Sequence, residues 1–328
     1  MTDLATAPAP ARKRRINLGF DRYSGLYVWA VLVIIFSLWI PNLFLQWDNF
    51  TTILSFQAIS TVVALGLIVP VAAGAFDLTI AGAMTVSACF TAWALLNHKG
   101  VVVACGGALL IGVGIGLANA LVVVKFKVDS FIGTLGMSSI LAALAYMITG
   151  GGQLVLPEAG YSPFLDFARQ EWFGISASVY YAGAIAIVIW WVLEYTPAGR
   201  YLYAVGGNPV AARLAGVKVG RTVMLSFVAS AVTASFAGIL LLSTTANGAP
   251  DVGANYLLPA FSAVFLGATQ IRPGRVNVLG TLVAILLLAT GVTGLQLAGA
   301  PSYVTQLFNG AALIIAMALA ARTARRRS

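Results

Sequence analysis

Asp77, in Gly74-Ala75-Phe76-Asp77-Leu78-Thr79, is the sole candidate for an ionisable group set into the apolar part of the chain. A carboxylate there could join a proton or ion relay, or it could satisfy the amides that open the next helix. A proton-coupled carrier needs more such groups, so that mechanism is discounted. Uncharged polar residues are more plentiful in the apolar runs: Gln57, Ser60, Thr61, Asn119, Ser138, Ser139, Thr233, Asn277 and Gln296. The path of a neutral hydroxylated solute would want hydrogen-bonding groups without fixed charge, because an unpaired buried charge is costly. The same residues serve equally well as hydrogen bonds between helices. Gln57, Asp77 and Asn119 are taken as the candidates for such a path.

Other chemistries lack their parts. The sequence contains no G-x-x-x-x-G-K-[ST] and no Gly-Lys pair, so it cannot cradle nucleotide phosphates by the usual loop. His98 is the only histidine and no run holds paired carboxylates, which leaves no catalytic set. Cys89 and Cys105 fall in apolar runs without metal spacing and read as small core residues, so no metal site is expected. Gly112 and Gly116 form a G-x-x-x-G that close helix packing explains.

The elements that carry these residues are membrane spans. Of the 328 residues 60% are hydrophobic and 9% charged, with a mean hydropathy of +0.93; ordinary soluble domains carry roughly 25% charged residues. The net charge of +9 does not imply nucleic acid, since the basic residues sit at the ends of apolar runs. Runs of bilayer length lie near 26–45, 52–72, 78–96, 101–124, 131–148, 177–194, 223–243, 255–269, 276–294 and 303–320, the eighth short and interrupted by Pro259. The first is longer than a signal-peptide core and reads as an uncleaved span.

Ten spans put both termini on one side, where basic residues should collect. With that side cytoplasmic, all of the 19 Lys and Arg except Lys99 and Arg169 lie inside: the group from Arg12 to Arg22, Lys125, Lys127, Arg200, Arg213, Lys218, Arg221, Arg272, Arg275 and the C-terminal arginines. Asp48, Glu158, Asp166, Glu171 and Asp251 lie outside. The expected organisation is a basic tail at 1–25, one transmembrane domain at 26–320 and a second basic tail at 321–328. The external loop 149–176 is either a lid or docking surface, or a connector with Tyr161, Phe164, Phe167 and Trp172 at headgroup level.

The longest polar interruption is 196–222. Within it Asn208 to Gly216 has a helix written at both ends, with Asn at the N-cap, Pro at the first position and Gly after the C-cap. Two turns are too few to be stable alone, so the helix needs a partner.

At 199–217 the residues become specific. Gly199-Arg200-Tyr201-Leu202-Tyr203-Ala204-Val205-Gly206-Gly207-Asn208, followed by Ala211-Ala212-Arg213-Leu214-Ala215-Gly216-Val217, resembles the cytoplasmic loop of the ribose/xylose/arabinose-type permease family of ATP-binding-cassette importers. Phe76-Asp77-Leu78-Thr79, Phe131 to Gly136, Thr149-Gly150-Gly151 and Gly274 to Thr281 are similar to that family in the same order, across about residues 50–320.

The resemblance implies an all-α polytopic membrane protein with two inverted sets of four spans. It implies a permease subunit of the bacterial cytoplasmic (inner) membrane, without an ATPase site of its own, importing a monosaccharide or related polyol. Its partners would be a second copy of the permease, cytoplasmic ATPase subunits that use ATP and Mg, and an extracytoplasmic sugar-binding protein. Asn208, Pro209, Ala211, Ala212, Arg213, Leu214 and Gly216 would form the helix that seats in the ATPase, and Gly199, Arg200, Gly206 and Gly207 its approach. Arg169, the one external arginine, would meet the binding protein. Alternatives are a nucleoside or signalling-molecule permease, or a passive channel or secondary carrier. Where the family commonly carries an acid after the tyrosine, this chain has Tyr256-Leu257, and Ala75-Phe76 replaces Gly-Gly before Asp77. These departures bear on the identity of the solute.

Overall fold

The structure is a computed structural model that describes residues 20–301 and 303–325. Most of the expected tail 1–25, with Arg12, Lys13, Arg14 and Arg15, and the end of the tail 321–328, with Arg326 and Arg327, fall outside the described residues. The described chain is built from the helices α1 (Phe20–Trp39), α2 (Pro41–Phe44), α3 (Trp47–Ala72), α4 (Thr79–Leu96), α5 (Val101–Ala120), α6 (Ser130–Thr149), α7 (Glu158–Arg169), α8 (Ala177–Tyr195), α9 (Pro197–Gly207), α10 (Pro209–Leu214), α11 (Val219–Thr245), α12 (Ala254–Gly267), α13 (Val278–Leu297) and α14 (Tyr303–Arg325). A π-helical turn, Leu121–Lys125, prolongs α5.

Among the described residues seven helices are long and apolar enough to cross a membrane: α3, α4, α5 with its π turn, α6, α8, α11 and α13. The remaining three apolar runs form shorter helices, Tyr23–Trp39 within α1, Ala254–Gly267, and Tyr303–Ile315 within α14. The run expected at 26–45 is broken after Trp39, because Pro41 lacks the amide that would continue the helix and instead opens α2.

The core lies where α3, α4 and α11 meet. Side chains such as Val62, Leu65, Met84, Ala234 and Leu240 are wholly buried there. By contrast α6 and α8 carry exposed apolar side chains, among them Ile132, Leu135, Ile187 and Val188. Two groups of three helices share one packing plan: α4 packs on α5 and α6, and α12 packs on α13 and α14.

Contacts sort the connections into two ends. At one end the 73–76 linker, Ser130, α9 and the start of α11 meet around a common cleft, and the α12–α13 loop is bonded to Glu194 through Arg272 and Arg275. This end gathers the basic loops. At the opposite end α7 folds over the ends of α4 and α11, with the Tyr161 hydroxyl donating to the Leu95 carbonyl. A two-residue antiparallel ladder pairs Leu154–Val155 with Asn247–Gly248.

Candidate functional site

Asn208 begins α10 as the sequence specifies. Its side-chain oxygen accepts from the amides of Val210 and Ala211 at 3.0 and 2.9 Å, which satisfies two of the donors a helix start leaves open. At the other end Gly216 has φ +85. The Gly216 amide donates to Arg213 and the Val217 amide to Ala212, both at 3.0 Å, the pair of bonds that closes a helix on a left-handed glycine. Only Ala212 of α10 is buried, while Val210 and Leu214 stand 66% and 86% exposed. One turn apart on a helix, those two side chains form an apolar knob on a polar end of the molecule.

Residues 199–207, read as an approach, are themselves the helix α9. The signal was present: Thr196-Pro197 carries the same cap and first-turn proline as Asn208-Pro209, and the Thr196 hydroxyl accepts from the Gly199 amide. Gly199, Leu202 and Val205 are buried, at a three-residue spacing that gives α9 one inward face. Gly206 is fixed by proximity to α3, since a Cβ there would sit 2.3 Å from the Ala72 carbonyl oxygen. A Cβ on Gly207 would meet nothing within 4 Å. Arg200 and Arg213 point to the exposed surface.

A charge cluster missing from the sequence reading holds α9 to the rest of this end. Glu194, at the end of α8, pairs with Arg272 and with Arg275, the latter at 2.6 Å. Arg275 also lies 3.9 Å over the ring of Tyr203 on α9, and the Tyr203 hydroxyl donates to the Val276 carbonyl at 2.9 Å. Burial pushes the Tyr203 phenol above its ordinary value, against the pull of the neighbouring arginine charge, so it stays a neutral donor. No local sequence signal marks Glu194, because its partners lie 78 and 81 residues away.

The three path candidates separate. Asp77 is wholly buried, and its Oδ1 accepts from the Thr79 amide at 3.0 Å and the Thr79 hydroxyl at 2.5 Å, satisfying the first turn of α4. Asn119 joins the same network by donating to the Thr79 hydroxyl at 2.7 Å. Gln57 lies apart, lining a cavity of about 190 Å³ with Ser60, Asn255 and Thr305.

Arg169 is engaged within the chain. It donates to the Thr244 carbonyl at 2.9 Å and pairs with Glu158 at 3.1 Å, clamping both ends of α7 onto α11. Phe164 is in the core rather than at headgroup level, since Ser243 of α11 draws this part of α7 inward by donating to the Phe164 carbonyl at 2.7 Å. Phe167 stacks on Tyr181, Trp172 meets Tyr180 at a tilt, and Tyr161 is half-buried.

A family model described as branched-chain amino acid transport system / permease component matches residues 49–317. The ribose import permease protein of Escherichia coli (strain K12) is 29% identical over 293 residues, 88% of this chain and 89% of the relative. The L-arabinose transport system permease protein of the same strain is 31% identical over 327 residues, 97% of this chain and 96% of the relative. An autoinducer 2 import system permease protein of Photorhabdus laumondii subsp. laumondii is 30% identical over 261 residues, 78% of each. No solved structure matches the chain.

Proposed function

The chain belongs to the family described as branched-chain amino acid transport system / permease component, and we propose that it is the membrane-spanning subunit of an ATP-binding-cassette importer for a monosaccharide or related polyol. It is a multi-pass protein of the bacterial inner membrane, and its relatives are named as permeases for ribose and L-arabinose. The seven long helices and the three shorter ones cross the membrane as ten spans with both termini cytoplasmic. Two inverted sets, α3–α6 and α11–α14, form its frame; the shared packing plan and the collection of basic loops at one end support this.

The observation that carries the reading is α10. A six-residue helix, capped at both ends and exposed on all but Ala212, presents Val210 and Leu214 to a partner. That partner is the cytoplasmic ATPase, which uses ATP and Mg. Asn208, Pro209, Ala211, Arg213 and Gly216 shape the contact, and Gly199, Arg200, Gly206 and Gly207 set α9 behind it. Motion of α10 reaches α3 through Gly206 and reaches α8 and α13 through Tyr203, Arg275 and Glu194, so nucleotide-driven closure of the ATPase would tilt spans rather than bend a loop. An extracytoplasmic sugar-binding protein meets the α7 end near Arg169, and the exposed Ile132 of α6 and Ile187 and Val188 of α8 meet lipid and a second permease copy.

The test is uptake of D-ribose and L-arabinose into vesicles that hold this chain alone, or with its ATPase and binding protein. Uptake that needs the whole complex and ATP is expected. Equal uptake by the chain alone, or uptake abolished by an ionophore and indifferent to ATP, would falsify the proposal.

A further inference from the structure

Asp251 is acidic, exposed and forms none of the ion pairs among the described residues. Its position is not that of an ordinary external loop. After Asn247–Gly248 leaves the ladder with Leu154–Val155, the chain descends along α4. Gly248 lies against Ala92, the Cys89 thiol donates to the Ala249 carbonyl at 3.5 Å, and the Gly253 amide donates to the Thr85 hydroxyl at 3.0 Å. A Cβ on Gly253 would fall 2.2 Å from the Ala81 carbonyl oxygen, so this residue must be glycine for the segment to lie so close. From Ala92 to Ala81 the descent covers about 16 Å of helix at 1.5 Å per residue. Asp251 comes two residues before Gly253, between the contacts at Cys89 and Thr85, about 5–10 Å along α4 from Ala92 and so beside the span rather than beyond its end.

Non-helical backbone at that depth is tolerated only against protein or water, and a carboxylate there faces an aqueous cavity, not lipid. A cavity lies beside Asp251. It measures about 280 Å³, near the lower limit of small-molecule sites, and lies between α4, α6 and the start of α12. Of its polar groups, the Thr85 hydroxyl is bonded to the Ala81 carbonyl and the Gly253 amide, and the Ser138 hydroxyl to the Leu78 and Thr134 carbonyls. That leaves the Asp251 carboxylate and Tyr146, half exposed on the α6 wall, to meet a solute.

We infer that Asp251 and Tyr146 form a recognition point for a polyhydroxylated solute in the cavity between α4, α6 and α12. The inference rests on the proposed function and assigns it residues. A carboxylate accepts hydrogen bonds from two neighbouring hydroxyls, and a tyrosine ring covers the apolar face of a sugar while its hydroxyl stays wet. Because Asn247–Gly248 is paired with Leu154–Val155, movement of the α7 loop acts on the segment that carries Asp251.

The assembled transporter is reconstituted with its ATPase and binding protein. Sugar imported per ATP hydrolysed is measured with D-ribose and L-arabinose for wild type, Asp251→Asn, Asp251→Ala and Tyr146→Ala. The Asp251 variants should lower sugar per ATP about tenfold, the scale of a lost charged hydrogen bond, while binding-protein-stimulated hydrolysis stays within about twofold. In parallel, Asp251→Cys should react with a charged, water-soluble thiosulfonate faster than Ile187→Cys on the outer face of α8, and loaded binding protein with ATP should slow that reaction. Unchanged sugar per ATP in Asp251→Ala, or reaction no faster than at Ile187→Cys, would overturn the inference alone. A wild-type complex that imports neither sugar would overturn the function and this inference with it.

Discussion

The guanidinium of Arg275 lies 3.9 Å over the ring of Tyr203, so the loop between α12 and α13 grips α9 through a cation and an aromatic face. The grip is polar at both ends, with Glu194 pairing Arg275 and the Tyr203 hydroxyl reaching the Val276 carbonyl. It joins two segments that the chain order keeps far apart.

Tyr203→Phe should keep the ring under Arg275 and lose one hydrogen bond, about 1 kcal/mol. Tyr203→Ala should lose the ring as well, adding about 0.5–2 kcal/mol. Thermal midpoints of the purified protein in detergent order the two, and equal midpoints would show that the ring contributes nothing. ATP hydrolysis per sugar should rise in the same order if α9 transmits motion through this contact.

Gly206 and Gly207 are adjacent and differ in what surrounds them. Gly206→Ala drives a methyl to within 2.3 Å of the Ala72 carbonyl oxygen, which must push α9 from α3 at a cost of about 1–3 kcal/mol. Gly207→Ala meets open space and should be neutral or stabilising by up to about 1 kcal/mol. A melting series on the two single variants checks the contrast, and a Gly206→Ala as stable as wild type would contradict the packing of α9.

Asp77 has two readings that one pair of substitutions separates. As the acceptor for the Thr79 amide it needs an oxygen but no charge, so Asp77→Asn should retain transport while Asp77→Ala leaves buried donors unsatisfied and costs about 1–3 kcal/mol. Asp77→Asn that folds but cannot transport would instead place the carboxylate in the transport cycle.

Sequence made some parts of this molecule legible and hid others for physical reasons. Apolar runs and caps are local signals, which is why α3, α4, α5, α6, α8, α11 and α13 lie where the runs lie, and why Asn208 and Gly216 bound α10. Pro41 and Thr196-Pro197 are equally local signals: the first ends α1 before the end of its apolar run, and the second opens α9 as a helix where an approach to α10 is expected. The Glu194 cluster and the descent of 248–253 along α4 are different in kind. They are made by contacts across many tens of residues, and no period or motif encodes them. Ser243, which binds the carbonyls of Phe164 and Leu165, draws an expected headgroup aromatic into the core by the same long-range route.

The exposed knob of α10 gives the most direct test of coupling. Leu214 is 86% exposed and Val210 66%, so neither contributes much to the fold of the isolated chain. A charge at Leu214 should therefore leave stability within about 0.5 kcal/mol of wild type. Seated in an ATPase groove, the same carboxylate would be desolvated without a partner, and an unpaired buried charge costs several kcal/mol. Leu214→Asp should then weaken co-purification of the ATPase by about a hundredfold or more, since each 1.4 kcal/mol is tenfold in affinity. Asn208→Ala acts by another route: removal of the cap costs about 0.5–2 kcal/mol and frays α10 while leaving the knob apolar. Its expected outcome is partial, with the ATPase still bound and ATP hydrolysis less tightly tied to sugar uptake. Equilibrium binding of the ATPase to detergent-solubilised variants, read beside vesicle uptake, distinguishes them. Normal ATPase affinity in Leu214→Asp would remove α10 from the interface.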